Sequence, residues 1–222
     1  MTDSQRDLIV AFKTLDTTCV SDALDRLGIK GACHGIRPLV AGVKAVGQAF
    51  TVKYRARSAQ CGSVGDFIDD VPAGRVIVID NGGRTWCTVW GDLMTLVAGS
   101  RGIAGTVIDG VCRDVPGILK ARYPIYTRGS YMATGKDRVE FEAANVQVSI
   151  SDVGVKPGDI MMCDDSGVVV VPLEKAEEVA TVATEIDTSE RKMCRLIEQG
   201  MSLREARKQV GYHSLQSRRP QE

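Results

Sequence analysis

Three side chains in this sequence have the types and spacing for chemistry on a small anion. They are Asp92 and the adjacent pair Arg113-Asp114, with twenty residues between. An arginine is always charged and offers planar, forked donors that match a carboxylate or an enolate. An aspartate is a hard oxygen ligand suited to Mg2+ or Mn2+, and one carboxylate with waters is a normal Mg2+ arrangement. Asp92 follows Gly91 at the start of a helical pattern, "GDLMTLVAG". Unpaired backbone amides at a helix start favour an anion, so those of Leu93 and Met94 can hold a carboxylate. Alone, each feature has a plainer use: Asp92 as a first-turn helix residue, Arg113-Asp114 as a loop ion pair.

Two strand ends at one crevice would bring them together. "RVIVID" reads as a buried strand ending at Asp80 with "NGG" as the turn after it, and "GTVIDG" as a second, ending at Asp109. Ligands of open α/β sheets bind beyond the carboxyl ends of strands, so one end supplies Asp92 and the other Arg113 and Asp114, with Asp109 and Pro116 shaping the turn that presents them. Around them, "AVGQAFTVKYRA" predicts a strand near 46–55 and "CGSVGDFIDDVPAG" a short helix. "RDVPGILKARY" is a loop or short helix, "PIYTRG" a strand, and "VQVSI", "GDIMMCD" and "GVVVVP" are β-rich. Helical spacing marks "SQRDLIVAFKTL", then "DTTCVSDALDRLG" with Thr at its N-cap and Gly28 as the stop. It marks 173–199 and "SLREARKQVG" as well. The pattern predicts an α/β fold with a mixed sheet, helices at both ends and a C-terminal helical extension. It reads as a single domain over 1–222, with a core of about 15–172 and the extension over 173–222.

Composition narrows the chemistry. Lys+Arg and Asp+Glu are both 28, a formal net charge of zero, which argues against nucleic acid or an anionic membrane as the main partner. No apolar run reaches about 18 residues, and "MTDSQRDLIVAF" lacks a signal-peptide layout, so the default expectation is cytoplasmic. The seven cysteines, at 19, 33, 61, 87, 112, 163 and 194, are odd in number, widely spaced and without C-x-x-C. That excludes a zinc or disulfide framework and leaves buried free thiols. His34 and His213 are far apart, so a metal here is bound by oxygen.

The D-x20-R-D spacing resembles the signature of class II pyruvate aldolases, the 4-hydroxy-4-methyl-2-oxoglutarate / 4-carboxy-4-hydroxy-2-oxoadipate aldolases. These share a fold with the regulator of ribonuclease E activity A. "CVSDALDRLG", "GQAFTV", "GDLMTLVA", "GTVIDGVCRD" and "VKPGDIMMCDDSGVVVVP" resemble that superfamily in the same order, over roughly residues 15 to 200. The resemblance implies a swivelling β/β/α fold and a homotrimer or homohexamer with sites between subunits. It implies Asp114 on the divalent metal and Arg113 on the keto oxygen or enolate of a pyruvoyl group. The Leu93 and Met94 amides would bind that group's carboxylate, and Asp92 would position a water on the metal. The activity implied is retro-aldol cleavage of a 4-hydroxy-2-oxo acid to pyruvate. Oxaloacetate decarboxylation follows from the same enolate.

In the family a Glu from a neighbouring subunit's C-terminal helix completes the water network. Glu190 is the candidate, because it lies close to the apolar stripe Val179, Val182, Ala183, Ile186, Met193 and Leu196 or Ile197. Glu185 and Glu198 are the alternatives. "RTWCTVW" is bulkier than the family's loop; Trp86 and Trp90 either line the pocket or serve as core or interface aromatics. Lys44 and Lys53 read as surface residues. The rival readings are a non-catalytic binding protein like the ribonuclease E regulator, which is expected to lack the acid at Asp92, and a carrier phosphorylated on His34.

Overall fold

The computed structural model describes residues 2–58, 64 and 66–211. Cys61, His213 and the tail beyond Gly211 lie outside them, as does part of the "CGSVGDFIDDVPAG" segment. The chain divides into two compact units, Ala32–Leu173, and Met1–Gly31 with Glu174–Glu222.

In chain order, α1 (Asp3–Thr14) and α2 (Thr17–Arg26) come first. Then follow β1 (Arg37–Pro38), β2 (Ala45–Ala56), β3 (Val76–Thr88), α3 (Asp92–Ser100), β4 (Gly105–Cys112), α4 (Val115–Ala121) and β5 (Ile125–Ser130). The short strands β6 (Val139–Ala144), β7 (Val148–Ile150), β8 (Val153–Val155), β9 (Ile160–Asp164) and β10 (Gly167–Val171) complete the α/β unit. The helices α5 (Ala176–Glu198) and α6 (Leu203–Val210) close the chain.

Eight strands form one mixed sheet in the order β1-β5-β4-β3-β2-β9-β10, with β6 added to β2. The centre, β2 to β5, is parallel; β1, β6, β9 and β10 join antiparallel. Parallel strands are covered on both faces, which is why Val76, Ile77, Val78 and Ile79 are all fully buried. Successive side chains alternate between faces. Ile77 and Ile79 join a core with Ala98 of α3 and Ile118 of α4. Val76 and Val78 join the opposite one, closed by Val148, Ile150, Val153 and Val155 of the β7–β8 hairpin. The expected mixed α/β sheet with helices at both ends is therefore the fold.

Three local expectations are corrected. β3 does not end at Asp80: Gly82 and Gly83 adopt left-handed φ values, the ladder slips, and the strand rejoins β4 through Arg84 and Thr88. A turn that re-enters its own ladder looks from sequence like a strand end. β4 likewise runs on past Asp109 to Cys112. The cap of α2 is Asp16, whose Oδ1 accepts from Cys19 N at 2.8 Å, rather than a Thr. β6 and β8 carried no legible strand signal.

In the helical unit α2 packs on α5. The apolar stripe of α5 buries Val179, Val182, Ala183 and Ile186 as its spacing requires.

Candidate active site

A cavity of about 260 Å3 opens where β3 and β4 end. It is lined by Tyr54, Val64, Thr88, Val89, Trp90, Gly91, Asp92, Leu93, Met94, Arg113, Asp114, Thr134 and Gly135. The structure thus collects Gly91, Asp92, Leu93, Met94, Arg113 and Asp114 at one pocket. Its volume is below the roughly 300–1,000 Å3 of drug-sized sites, a scale suited to a small metabolite.

One backbone bond ties the two strand ends together, and a side-chain chain of bonds steadies the turn after β3. Arg113 N donates to Trp90 O at 3.0 Å, so the residue after β4 is hooked to the turn after β3. The Thr95 hydroxyl donates to Gly91 O at 2.9 Å and accepts from Trp90 Nε1 at 2.9 Å. Trp90 is stacked on Tyr123 with ring centroids 6.1 Å apart. It is 2% exposed, so it is a core aromatic whose edge forms part of the pocket floor, whereas Trp86, 51% exposed, does not line the pocket.

The N-cap of α3 is Gly91, which has no side chain to cap the helix. Helix geometry then leaves the amides of Leu93 and Met94 open at the pocket, where a carboxylate is favoured. Asp114 occupies the N-cap position of α4 in the left-handed conformation, φ 56° and ψ 39°. An Asp there usually accepts a bond from its own helix, worth about 1 kcal/mol. Asp114 makes no such bond. Its carboxylate turns across the pocket, with Oδ2 accepting from Asp92 N at 3.4 Å and lying 3.3 Å from Arg113 Nε. Two glycines allow this approach. A Cβ on Gly91 would overlap Asp114 Oδ2, and one on Gly117 would come within 2.9 Å of Asp92 Cβ.

Asp109 is not part of the site. It is buried, bonded to Arg128 Nε and to Ser151 N, the latter at 3.0 Å, and ties β4 to the β7–β8 turn. Glu190 lies in the helical unit, half-buried, where its Oε2 accepts from Cys19 Sγ at 3.4 Å. Burial, together with Asp16 and Glu190, pushes the Cys19 thiol far up, so it is a neutral donor there. Glu185 pairs with Arg26 at 3.4 Å. Lys53 of β2 pairs with Glu142 of the neighbouring β6 at 3.1 Å. His34 is exposed, and its carbonyl accepts from Ser151 Oγ. Tyr54, Val64, Thr88, Thr134 and Gly135 entered no sequence argument; they reach the pocket from β2, β3 and the turns after β2 and β5, and no motif marks them.

The donor set limits what metal would fit. Among the described residues no group of three or more His, Cys, Asp or Glu side chains is placed to hold an ion. That excludes a closed thiolate or imidazole site within them. A single carboxylate, Asp114, at an open pocket fits a hard ion that keeps most of its waters, such as Mg2+ or Mn2+. Also among the described residues, no helix is long and apolar enough to cross a membrane.

The chain is similar to known proteins over this same region. A family model described as RraA-like, Aldolase/RraA, matches residues 17–170. Protein DlpA of Legionella pneumophila is 38% identical over 213 residues, which are 95% of this chain but 35% of that protein. This chain therefore spans well under half of that relative. A provisionally named 4-hydroxy-4-methyl-2-oxoglutarate aldolase of Halalkalibacterium halodurans is 35% identical over 179 residues, 81% of this chain and 83% of that one. The crystal structure of an uncharacterized protein from Pseudomonas syringae pv. tomato matches with a TM-score of 0.86 at 43% identity, covering 91% of this chain and 97% of that chain. A family model spanning more than half of the sequence, with the same fold in a relative of high identity, establishes that the chain belongs to the RraA-like family.

Proposed function

We propose that the protein is a divalent-metal-dependent lyase that cleaves a 4-hydroxy-2-oxo acid to pyruvate by a retro-aldol reaction, and that oxaloacetate is decarboxylated at the same site. The observation that carries this reading is the carboxylate of Asp114. It forgoes capping its own helix and instead faces Arg113 and the open start of α3 across a metabolite-sized cavity.

The roles follow from charge and reach. The amides of Leu93 and Met94 hold the carboxylate of the pyruvoyl group. Arg113 donates to its C2 oxygen. As the C3–C4 bond breaks, its electron pair moves onto that oxygen, and a cation there stabilises charge that develops in the transition state. Asp92 takes the C4 hydroxyl proton, directly or through a water, which releases the carbonyl product. The enolate is then protonated at C3 to give pyruvate. A bound Mg2+ or Mn2+, held by Asp114, supplies Lewis-acid stabilisation of the same negative charge. The reading includes a homotrimer or homohexamer in which Glu190, from a neighbouring subunit's C-terminal helix, joins the site. The relative named as an aldolase supports the reaction class.

The deciding experiment is pyruvate release from 4-hydroxy-2-oxo acids and from oxaloacetate. EDTA is expected to abolish it and added Mg2+ or Mn2+ to restore it. Arg113→Ala is expected to lose activity with an unchanged circular dichroism spectrum. Turnover indifferent to EDTA removes the metal from the mechanism, and no turnover under any condition favours a binding protein.

A further inference from the structure

Charge on α5 is divided along its length. Within the helix every acid but Glu198 lies before residue 191, and every base lies after residue 190. Helix-dipole effects act on the first and last turns, so they do not order Glu185, Asp187 and Arg191 in the middle. Most of these charges are used within the chain. Glu178 pairs with Lys175, Glu185 with Arg26 and Asp187 with Arg191, while Glu190 accepts from Cys19. Glu177 and Arg195, both exposed, have no ion-pair partner among the described residues. They stand eighteen residues apart, about five turns, so they lie on one line of the helix surface.

Thr181, Thr184 and Thr188 lie on the same exposed face between them. The hydroxyls of Thr181 and Thr184 donate to Glu177 O at 2.9 Å and to Ala180 O at 2.7 Å, so a partner can cover them without leaving a donor unpaired. Beside them an open groove of about 710 Å3 is lined by Ala180, Thr184 and Thr188 with Ala11 of α1, side chains short enough to admit a second helix. A copy of α5 turned end for end matches this face. A two-fold axis midway between Thr184 and Thr188 sets Glu177 of each copy against Arg195 of the other, so the pair occurs twice. A parallel copy would set acids against acids. Glu190 points roughly 140° around the helix from Glu177, which leaves its side of α5 to a different neighbour.

We propose that the exposed face of α5 is a two-fold interface between two copies of this chain. The helices pack antiparallel, with Thr184 and Thr188 at the axis and Glu177 facing Arg195 of the other copy at each end. If the chain forms trimers, this contact joins two of them into a homohexamer. The inference stands apart from the lyase reading, because it is read from mass and not from turnover.

An exposed ion pair contributes little by itself, whereas like charges brought face to face twice oppose association, so the test reverses charge. Sedimentation equilibrium of the full chain at low salt gives the mass, and the native protein is expected as an even-numbered assembly. Glu177→Arg and Arg195→Glu are each expected to halve that mass at the same concentration, with an unchanged circular dichroism spectrum. The double variant Glu177→Arg/Arg195→Glu restores the opposite charges and is expected to restore the mass. Glu178→Arg makes the same change of charge about 100° around the helix and is expected to keep the native mass. A native monomer or trimer overturns the proposal. Equal masses in all the variants overturn it too, and leave the face to solvent or to the tail 212–222. A double variant that stays dissociated, or a loss as large in Glu178→Arg, also overturns it, since the pairing of Glu177 with Arg195 would then not set the contact.

Discussion

Gly91 and Asp114 share one volume: the carboxylate of Asp114 occupies the space that a side chain on residue 91 would need. The backbone of Gly91 is extended, at φ −154°, so alanine is conformationally free there and only the carboxylate stands in its way. Gly91→Ala is therefore expected to displace Asp114 with little change in thermal stability. Misplacing a reacting group by about 1 Å lowers turnover on the order of 100-fold. Steady-state pyruvate formation and a thermal melt on the same variant check this; full activity would detach the position of Asp114 from catalysis.

The two aspartates near the end of β4 separate by function. Asp109→Ala leaves Arg128, partly exposed, with only its bond to Ser151 Oγ and leaves Ser151 N without its acceptor, which is destabilising by about 1–3 kcal/mol. Turnover per folded molecule should survive. Asp114→Asn has the reverse expectation, near-normal stability with lost metal-dependent turnover, because its side chain is partly exposed and does not cap its own helix. Urea denaturation with activity measurements distinguishes them, and the opposite pattern would move the site to Asp109.

Trp90→Phe keeps the ring against Tyr123 but removes the indole donor to Thr95. A buried hydroxyl left without that donor is expected to lower stability by about 1–2 kcal/mol. Since the same hydroxyl steadies Gly91 O, kcat should fall more than KM rises. Equal denaturation midpoints for the variant and the native protein would contradict the role given to this bond.

Burial pushes the Cys33 thiol from 9.0 up to about 12 and the Cys112 thiol up to about 11. In both, the native state keeps a proton that the unfolded chain releases near pH 9. The stability involved is complete below that pH and is lost as pH rises toward 11–12. Urea midpoints should therefore fall across this alkaline range, and fall less steeply in Cys112→Ala. With a thiol reagent near pH 8, Cys194, which is exposed, should label before the other described cysteines, all buried.

The sequence by itself singled out Asp92, Arg113 and Asp114, which the structure gathers at one pocket, and most of the elements that carry them. Asp92, Arg113 and Asp114 were legible because their types and spacing, and the helix start at Gly91, are local properties. The central parallel strands were legible because burial on both faces forces continuous apolar runs such as Val76–Ile79. Tertiary structure decided what no local pattern encodes. The true ends of β3 and β4 depend on a ladder that slips and resumes across Gly82 and Gly83. The partners that hold Asp109 in its turn-shaping place, Arg128 and Ser151, are not its neighbours in sequence. Part of the pocket lining comes from Tyr54 and Val64, which no local pattern assigned to a site. The use of Asp114 was decided by contact as well. A carboxylate at a helix start normally caps that helix, and only the gap left by Gly91, more than twenty residues earlier, lets it face the pocket instead.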